Sequence, residues 1–482
     1  MTTDSPVQAA TATLSAIRAK VEAGERLSLA DGRLLFQTPD LWSVCELADT
    51  VRRRLHGDRA YYNINRHLNY SNVCALSCKF CEFYRKDGED GSYTRDMEYV
   101  KQQAREAVEN GATEMHCVGG LHPKLPFSYY TDLVRTIRET AREMGSDLHV
   151  KAFTAVEIVH LAKIAKKYRV DDRAAGIRYV LSELKAAGLG SLPGGGAEVF
   201  DDRVHDEAYK GKIRSDVWLD VHRIAHELGM NTNATMLYGH IERREERLVH
   251  LDMLRRAQDL ALWQMGYEAS GEENRWGAED TDSGHLGAGE AGDPGMGAPV
   301  ITLTRVGVVK PLEFVGQGEL RTSGRGAAGV RPDGPGAGSA GGPLPDHRGS
   351  GAAASRGYFQ TIIPLPFFPD GCDLEHLPGP TGLENLRSLA VARLMLDNFP
   401  HVKAFWIMQT LPMAQLMLQS GADDIDGTVV WYDITKVGGA GTHQEVSVWS
   451  LTKAIREAGF EPVERDTLYR PVVREGKAWR VG

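Results

Sequence analysis

Eight short strand-like runs alternate with amphipathic helical stretches, and this alternation limits the fold more than any other feature of the chain. The runs are 61–68, 114–118, 149–153, 191–192, 231–237, 359–366, 402–408 and 425–430. Apolar residues recur at helical spacing over 97–110, 130–144, 174–187 and 215–228. Gly111, Gly145, Gly188 and Gly229 stand where these four stretches end, as left-handed caps do. Parallel strands need long crossovers, which intervening helices supply. Eight such units predict an α/β fold of the TIM type, a (β/α)8 barrel. An incomplete six-strand barrel is the alternative.

The site of such a barrel lies at the C-terminal ends of its strands. The first run leads into Cys74-Ala-Leu-Ser-Cys78-Lys-Phe-Cys81. Three of the six cysteines thus fall within eight residues. Thiolates are the soft ligands of iron–sulfur clusters, and a cubane normally takes four protein ligands. Three leave one iron open to chelate a substrate. A structural zinc site wants four ligands, often as two pairs, and no second pair is present. A disulfide framework belongs to cysteine-dense secreted chains. Cys45, Cys117 and Cys372 read as small buried side chains.

At Cys74, Cys78 and Cys81 the chain resembles the radical S-adenosylmethionine (SAM) superfamily. The resemblance implies a [4Fe-4S] cluster with SAM on its open iron, and Phe80 lying against the adenine. Gly119-Gly120, after the second run, would let backbone approach the methionine part of SAM, where a Cβ collides; a plain tight turn is the other reading. Leu121 follows where many members of the superfamily carry Glu. Glu157 and Glu198 are candidates for the ribose hydroxyls or the methionine amine, or else loop salt bridges. Gly194, Gly195 and Gly196 resemble an anion cradle of converging N–H groups. They lack the Lys and Ser/Thr of a nucleotide P-loop. Asn233, Thr235 and Tyr238 offer neutral hydrogen-bonding groups to a substrate. His122 and His240 sit on loops at the site face, as acid–base candidates or as satisfied structural histidines. Arg393 and Asp397 read as a structural ion pair on one helix.

Further motifs narrow the resemblance. They are Gly119-Gly-Leu-His-Pro-Lys-Leu-Pro-Phe127, Lys151-Ala-Phe-Thr-Ala-Val-Glu157, Leu192-Pro-Gly-Gly-Gly-Ala-Glu-Val-Phe200, Thr232-Asn-Ala-Thr-Met-Leu-Tyr-Gly-His240, His401-Val-Lys-Ala-Phe-Trp406 and Asp426-Gly-Thr428. Together they resemble the aminofutalosine synthase family of the futalosine route to menaquinone. The segments at runs seven and eight favour it over two sister families, the cyclic dehypoxanthine futalosine synthases and the deazaflavin-forming synthases. The resemblance implies that the 5′-deoxyadenosyl radical from SAM adds to the enol-ether double bond of 3-[(1-carboxyvinyl)oxy]benzoate. Rearrangement and loss of the carboxylate carbon then give aminodeoxyfutalosine, so SAM is consumed. It also implies a reducing partner such as a flavodoxin or ferredoxin.

Composition bounds the rest. The net charge is −9 with both signs interspersed, which argues against a nucleic-acid surface. No apolar run approaches the roughly 20 residues that span a bilayer, so no membrane insertion is expected. Met1-Thr-Thr-Asp-Ser-Pro6 does not read as a signal peptide, and few cysteines suit a reducing cytoplasm. Residues 1–60 read as a helical extension, with helices near 7–21 and 39–55. Residues 61–266 form the first part of the barrel. Residues 267–357 are crowded with Gly, Ala, Pro and Ser, and disorder is expected there, with a short strand conceivable at 300–309. As a helix-to-strand connection this insertion belongs to the face away from the site. Residues 358–482 complete the barrel and close it.

Overall fold

The computed structural model describes residues 6–265, 356–428 and 445–482, together with two backbone pairs at 314–315 and 319–320. Most of the Gly-rich stretch, including 300–309, lies outside the described residues, as does the end of the eighth run beyond Thr428.

Strand β1 (Arg59–Asn63) runs into β2 (Asn65–Asn69) across Ile64 as one bent strand. The remaining barrel strands are β3 (Glu114–Val118), β4 (His149–Ala152), β5 (Ser191–Leu192) and β6 (Asn231–Tyr238). After the short antiparallel pair β7 (Phe314–Val315) and β8 (Glu319–Leu320) come β9 (Phe359–Pro366), β10 (His401–Val402) and β11 (Asp424–Gly427). From β2 to β10 every neighbour in the sheet is parallel, in the order β2-β3-β4-β5-β6-β9-β10. A parallel bridge Lys403–Asp424 joins β10 to β11, and β11 pairs in parallel with β1. The ring therefore closes with eight strand positions, as the sequence predicts, and the six-strand alternative falls away. Gly111, Gly145, Gly188 and Gly229 all have positive φ at the ends of their helices. The seventh run is the exception. Its strand stops at Val402, and 406–409 turn helical, with Trp406 Nε1 donating to Gly427 O at 2.8 Å.

The leading segment forms three helices, Pro6–Ala23, Leu29–Gln37 and Leu41–His56, one more than the periodicity suggests. The extra helix begins with a capping box between Ser28 and Asp31. Its Gly32 packs so closely on Leu248 and Met395 that a Cβ would sit 2.5 Å from Leu248. This binds the segment to the barrel helices Arg244–Gln264 and Gly382–Met395. Arg393 and Asp397 are both in ion pairs, but not with each other. Arg393 pairs with Asp423, and Asp397 with Arg26 at 3.0 Å. No helix among the described residues is long and apolar enough to cross a membrane.

The closing segment lies at the N-terminal end of the barrel. Strand β12 (Glu461–Glu464) adds to β1, and residues 465–469 plug the strand starts. A terminal hairpin follows, β13 (Val472–Glu475) and β14 (Ala478–Val481).

Candidate active site

One cavity of about 310 Å³ opens at the C-terminal ends of the strands and descends into the barrel. Cys74, Cys78, Cys81 and Phe80 line its mouth, beside Gly119, Gly120, Glu157, Gly194, Gly195, Gly196 and Glu198. Asn233 and Thr235 line its wall.

The cysteine loop is held by hydrogen bonds within the chain. Cys74 N–H donates to Arg85 O at 3.0 Å, Ala75 N–H to Leu121 O at 2.9 Å, and Lys79 N–H to Ala208 O at 2.9 Å. The Asn72 side chain braces its approach by bonding Gly91 O at 2.9 Å and Tyr93 N–H at 2.8 Å. Burial pushes the Cys78 thiol up to about 11, against the lowering pull of Lys212. Burial also raises Cys81. Clustered thiolates here therefore need metal charge to offset them. Among the described residues, only His56, His401 and Asp423 bring three ligand atoms within 4.8 Å of one another. The three sulfurs are thus spread wider than one tetrahedral zinc, with bonds of about 2.3 Å, would gather them. Three spread soft donors on one open cavity fit a cubane cluster.

The glycines at the mouth answer to the protein's own backbone. A Cβ on Gly120 would lie 2.3 Å from Val73 O, and one on Gly194 2.5 Å from the Ala234 carbonyl carbon. Gly120 N–H donates to Ser71 O at 2.8 Å, tying this loop to the cysteine approach. Glu157 is a pin. One oxygen accepts from Tyr70 OH at 2.6 Å and Gly119 N–H at 3.1 Å; the other accepts from Thr154 N–H at 2.8 Å and its hydroxyl at 2.7 Å. Burial nevertheless raises its pKa. Glu198 forms an ion pair with Lys212, whose ammonium stands 4.8 Å over the Phe80 ring. Burial opposes the Lys212 charge, but Glu198 and the thiols outweigh it and raise its pKa. Thr235 spends its hydroxyl on Gly194 O at 2.7 Å.

Three candidates stand outside the cavity lining. His122 is buried, and its Nδ1 accepts from Lys124 N–H and Leu125 N–H at 3.1 and 3.2 Å, which organises its own turn. His240 packs behind the mouth, with Nε2 3.2 Å from Leu237 O and its ring 6.4 Å from Phe80. Burial lowers both histidines. Tyr238 points out of the barrel, since side chains alternate along β6 and Asn233, Thr235 and Leu237 take the inward face. Its hydroxyl meets Asn385 at 2.9 Å and Gln409 at 3.0 Å.

The cavity also has a polar floor whose residues no sequence motif marks as site candidates. His67, Glu114, His116, Lys151, Lys403 and Asp426 line the deep end of the same cavity. Lys151 pairs with Glu114 at 2.7 Å, and Lys403 with Asp426 at 2.7 Å. Both carboxylates resist the upward push of burial and stay below their usual range, Glu114 chiefly through Lys151 and Asp426 through Lys403. Burial holds both imidazoles neutral, His67 down to about 4. Their rings meet edge to face at 4.6 Å. The available signal was polar residues at alternate positions, as in Glu114-x-His116 and Asn65-x-His67, within strands that must be buried on both faces.

Residues 68–254 match the radical SAM superfamily, and residues 355–476 match the CofH/MqnC C-terminal region. The aminodeoxyfutalosine synthase of Thermus thermophilus is 36% identical over 460 residues, covering 95% of each chain. That of Streptomyces coelicolor is 34% identical over 467 residues, covering 95% of this chain and 93% of the relative. Methylornithine synthase has a similar structure, with a TM-score of 0.54 at 15% identity over 92% of this chain and 97% of that one. At that identity the likeness speaks for the barrel alone.

Proposed function

The chain belongs to the aminodeoxyfutalosine synthase family of radical SAM enzymes, and on that premise we propose how its own residues serve the reaction. It is an enzyme of radical carbon–carbon bond formation with a [4Fe-4S] cluster and SAM, acting on a small molecule and requiring a reductant. The reaction we assign joins the 5′-deoxyadenosyl group to 3-[(1-carboxyvinyl)oxy]benzoate, giving aminodeoxyfutalosine for menaquinone. The reductant we assign is a flavodoxin or ferredoxin.

When bound, the reduced cluster supplies the electron that cleaves the C5′–S bond of SAM, releasing methionine and the 5′-deoxyadenosyl radical. Cys74, Cys78 and Cys81 hold that cluster on a loop whose amides are already bonded. Phe80 flanks the adenine, with the Lys212 ammonium 4.8 Å over its ring and the His240 ring 6.4 Å away. Gly119 and Gly120 pass the methionine end, and Glu157 fixes the Gly119 amide there. Glu198, with Lys212, faces the ribose side. Gly194, Gly195 and Gly196 with Asn233 and Thr235 face the substrate. Ile363, Leu365, Phe367 and Phe405 wall the space between and exclude water. The task of these groups is to hold the alkene within about 3–3.5 Å of C5′, a near-attack distance.

One observation carries this reading: the cysteine loop and the glycine loops open on a single cavity that continues into a polar barrel interior. The test is an anaerobic assay of reconstituted, reduced protein with SAM and the enolpyruvyl benzoate. Mass spectrometry is expected to find a product containing both adenosyl and aryl groups. Only 5′-deoxyadenosine would leave the SAM chemistry standing and overturn the substrate.

A further inference from the structure

We propose that the cavity floor formed by His116, Lys151 and Lys403 is the subsite for the ring carboxylate of the substrate, the end that does not react. The inference rests on the substrate assigned above and locates one part of it.

Reactivity orients the ligand. The enolpyruvyl end must meet C5′ at the cysteine mouth, so the ring carboxylate points away from it, down the barrel axis. From Val118 at the mouth to Glu114 at the floor is roughly 13 Å along β3 at about 3.3 Å per residue, room for one aryl ring between the two ends. The floor offers what an ionised aryl carboxylate needs. Each lysine ammonium carries three N–H donors. Glu114 takes one from Lys151, and Asp426 takes one from Lys403. Both lysines line the cavity and have donors beyond these pairs. His116 Nε2 is buried without a hydrogen-bond partner, a condition that costs free energy unless a ligand relieves it. Glu114 and Asp426 hold the two ammonium groups in place at the floor. An aryl carboxylate would accept from both ammonium groups and the imidazole, and charge-assisted bonds of this kind in a dry site are the strong ones.

Glu114 Oε2 also lacks a partner. A neutral group with its own N–H, such as an amide, could satisfy it together with His116. The experiment separates these two chemistries. The reconstituted full-length enzyme with SAM but no reductant is titrated calorimetrically with 3-[(1-carboxyvinyl)oxy]benzoate and with its ring carboxamide. Wild type is expected to bind the acid about 10- to 100-fold tighter than the amide, the range for a hydrogen-bonded charge. His116→Phe is expected to narrow that preference, and Lys403→Met to remove most of it. Because Lys403→Met leaves Asp426 buried alone, the double variant Lys403→Met/Asp426→Asn is titrated too and should show the same lost preference. Equal binding of acid and amide by wild type overturns the subsite, as does a preference that survives in the double variant. Reduced wild type is assayed with the acid in parallel. Adduct formation with no acid preference sinks the subsite alone; no binding and no adduct sinks the substrate assignment and the subsite with it.

Discussion

The two ends of this barrel bury charge for opposite purposes. At the N-terminal end the buried ion pairs are covered by the closing segment. Asp423 takes Arg393, His401 Nδ1 at 2.6 Å and the Val402 amide at 2.8 Å. Arg465, carried in by the closing segment, pairs with Asp424 at 2.5 Å, and Tyr469 stacks on His401 at 3.5 Å. His56, His401 and Asp423 converge closely enough to suggest a metal site. The Arg393 guanidinium already fills the cationic role there, and His56 Nε2 lies 2.8 Å from Pro400 O. Above this plug, inside the barrel, the ion pairs of the floor border the cavity that opens at the C-terminal end, and His116 Nε2 has no hydrogen-bond partner. The difference teaches how to separate a structural charge network from a binding one. Both are buried and paired, but only the floor pairs border the cavity.

Breaking each end should therefore fail differently. The largest effect falls at the mouth: Cys78→Ala should abolish cluster absorbance and SAM cleavage while the unfolding midpoint of the cluster-free protein stays put. A cluster that still assembles fully would mean that the loop is not its holder. At the other end, Asp423→Ala leaves Arg393 buried and unpaired and should cost about 3–5 kcal/mol in denaturant unfolding. Against burial, His56, His401 and Arg393 hold the Asp423 carboxyl well below its usual range. A depressed folded-state pKa stabilises above the unfolded value near about 3.9 and is lost as pH falls below it. Wild type should thus lose stability in acid faster than the variant, and parallel pH curves would break the contrast. Gly120→Ala sits between the two ends in kind. Its Cβ would meet Val73 O at 2.3 Å, so a cost of about 1–3 kcal/mol is expected, with less iron bound per chain. Iron content equal to wild type would show that the cysteine approach tolerates the shift. The smallest effect concerns the Gly-rich stretch. Its flanks meet, with Arg356 Nη1 donating to Gln264 Oε1 at 3.0 Å, on the face away from the mouth. Replacing 266–355 with a short Gly/Ser linker should leave turnover unchanged, and a large loss would tie that stretch to the chemistry.

Much of this was legible in the chain because barrel strands and helices announce themselves locally. Helical period, glycine caps and apolar runs need no knowledge of what packs where. The seventh run misled because a continuous apolar stretch reads alike as strand or buried helical turn. The side-chain roles at the site were less legible. Tyr238 stands beside the site in sequence but faces outward by strand parity. His122 and His240 occupy loops at the site face, yet their nitrogens are turned to local backbone. Lys212 comes from a turn far from the cysteines in sequence and meets them only in the fold. Glu114, Lys151, Lys403 and Asp426 looked like scattered strand charges until four different strand positions brought them to one floor.

By itself the sequence determined the alternating architecture, the three-thiolate loop, and the end of the barrel on which the chemistry-bearing loops must lie. These follow from periodicity and from the ligand chemistry of closely spaced cysteines, which are properties of short segments. Only the tertiary structure decided which polar groups spend their hydrogen bonds on the protein and which keep them for a ligand. That choice depends on where side chains from distant strands point, and on whether a backbone carbonyl reaches them first.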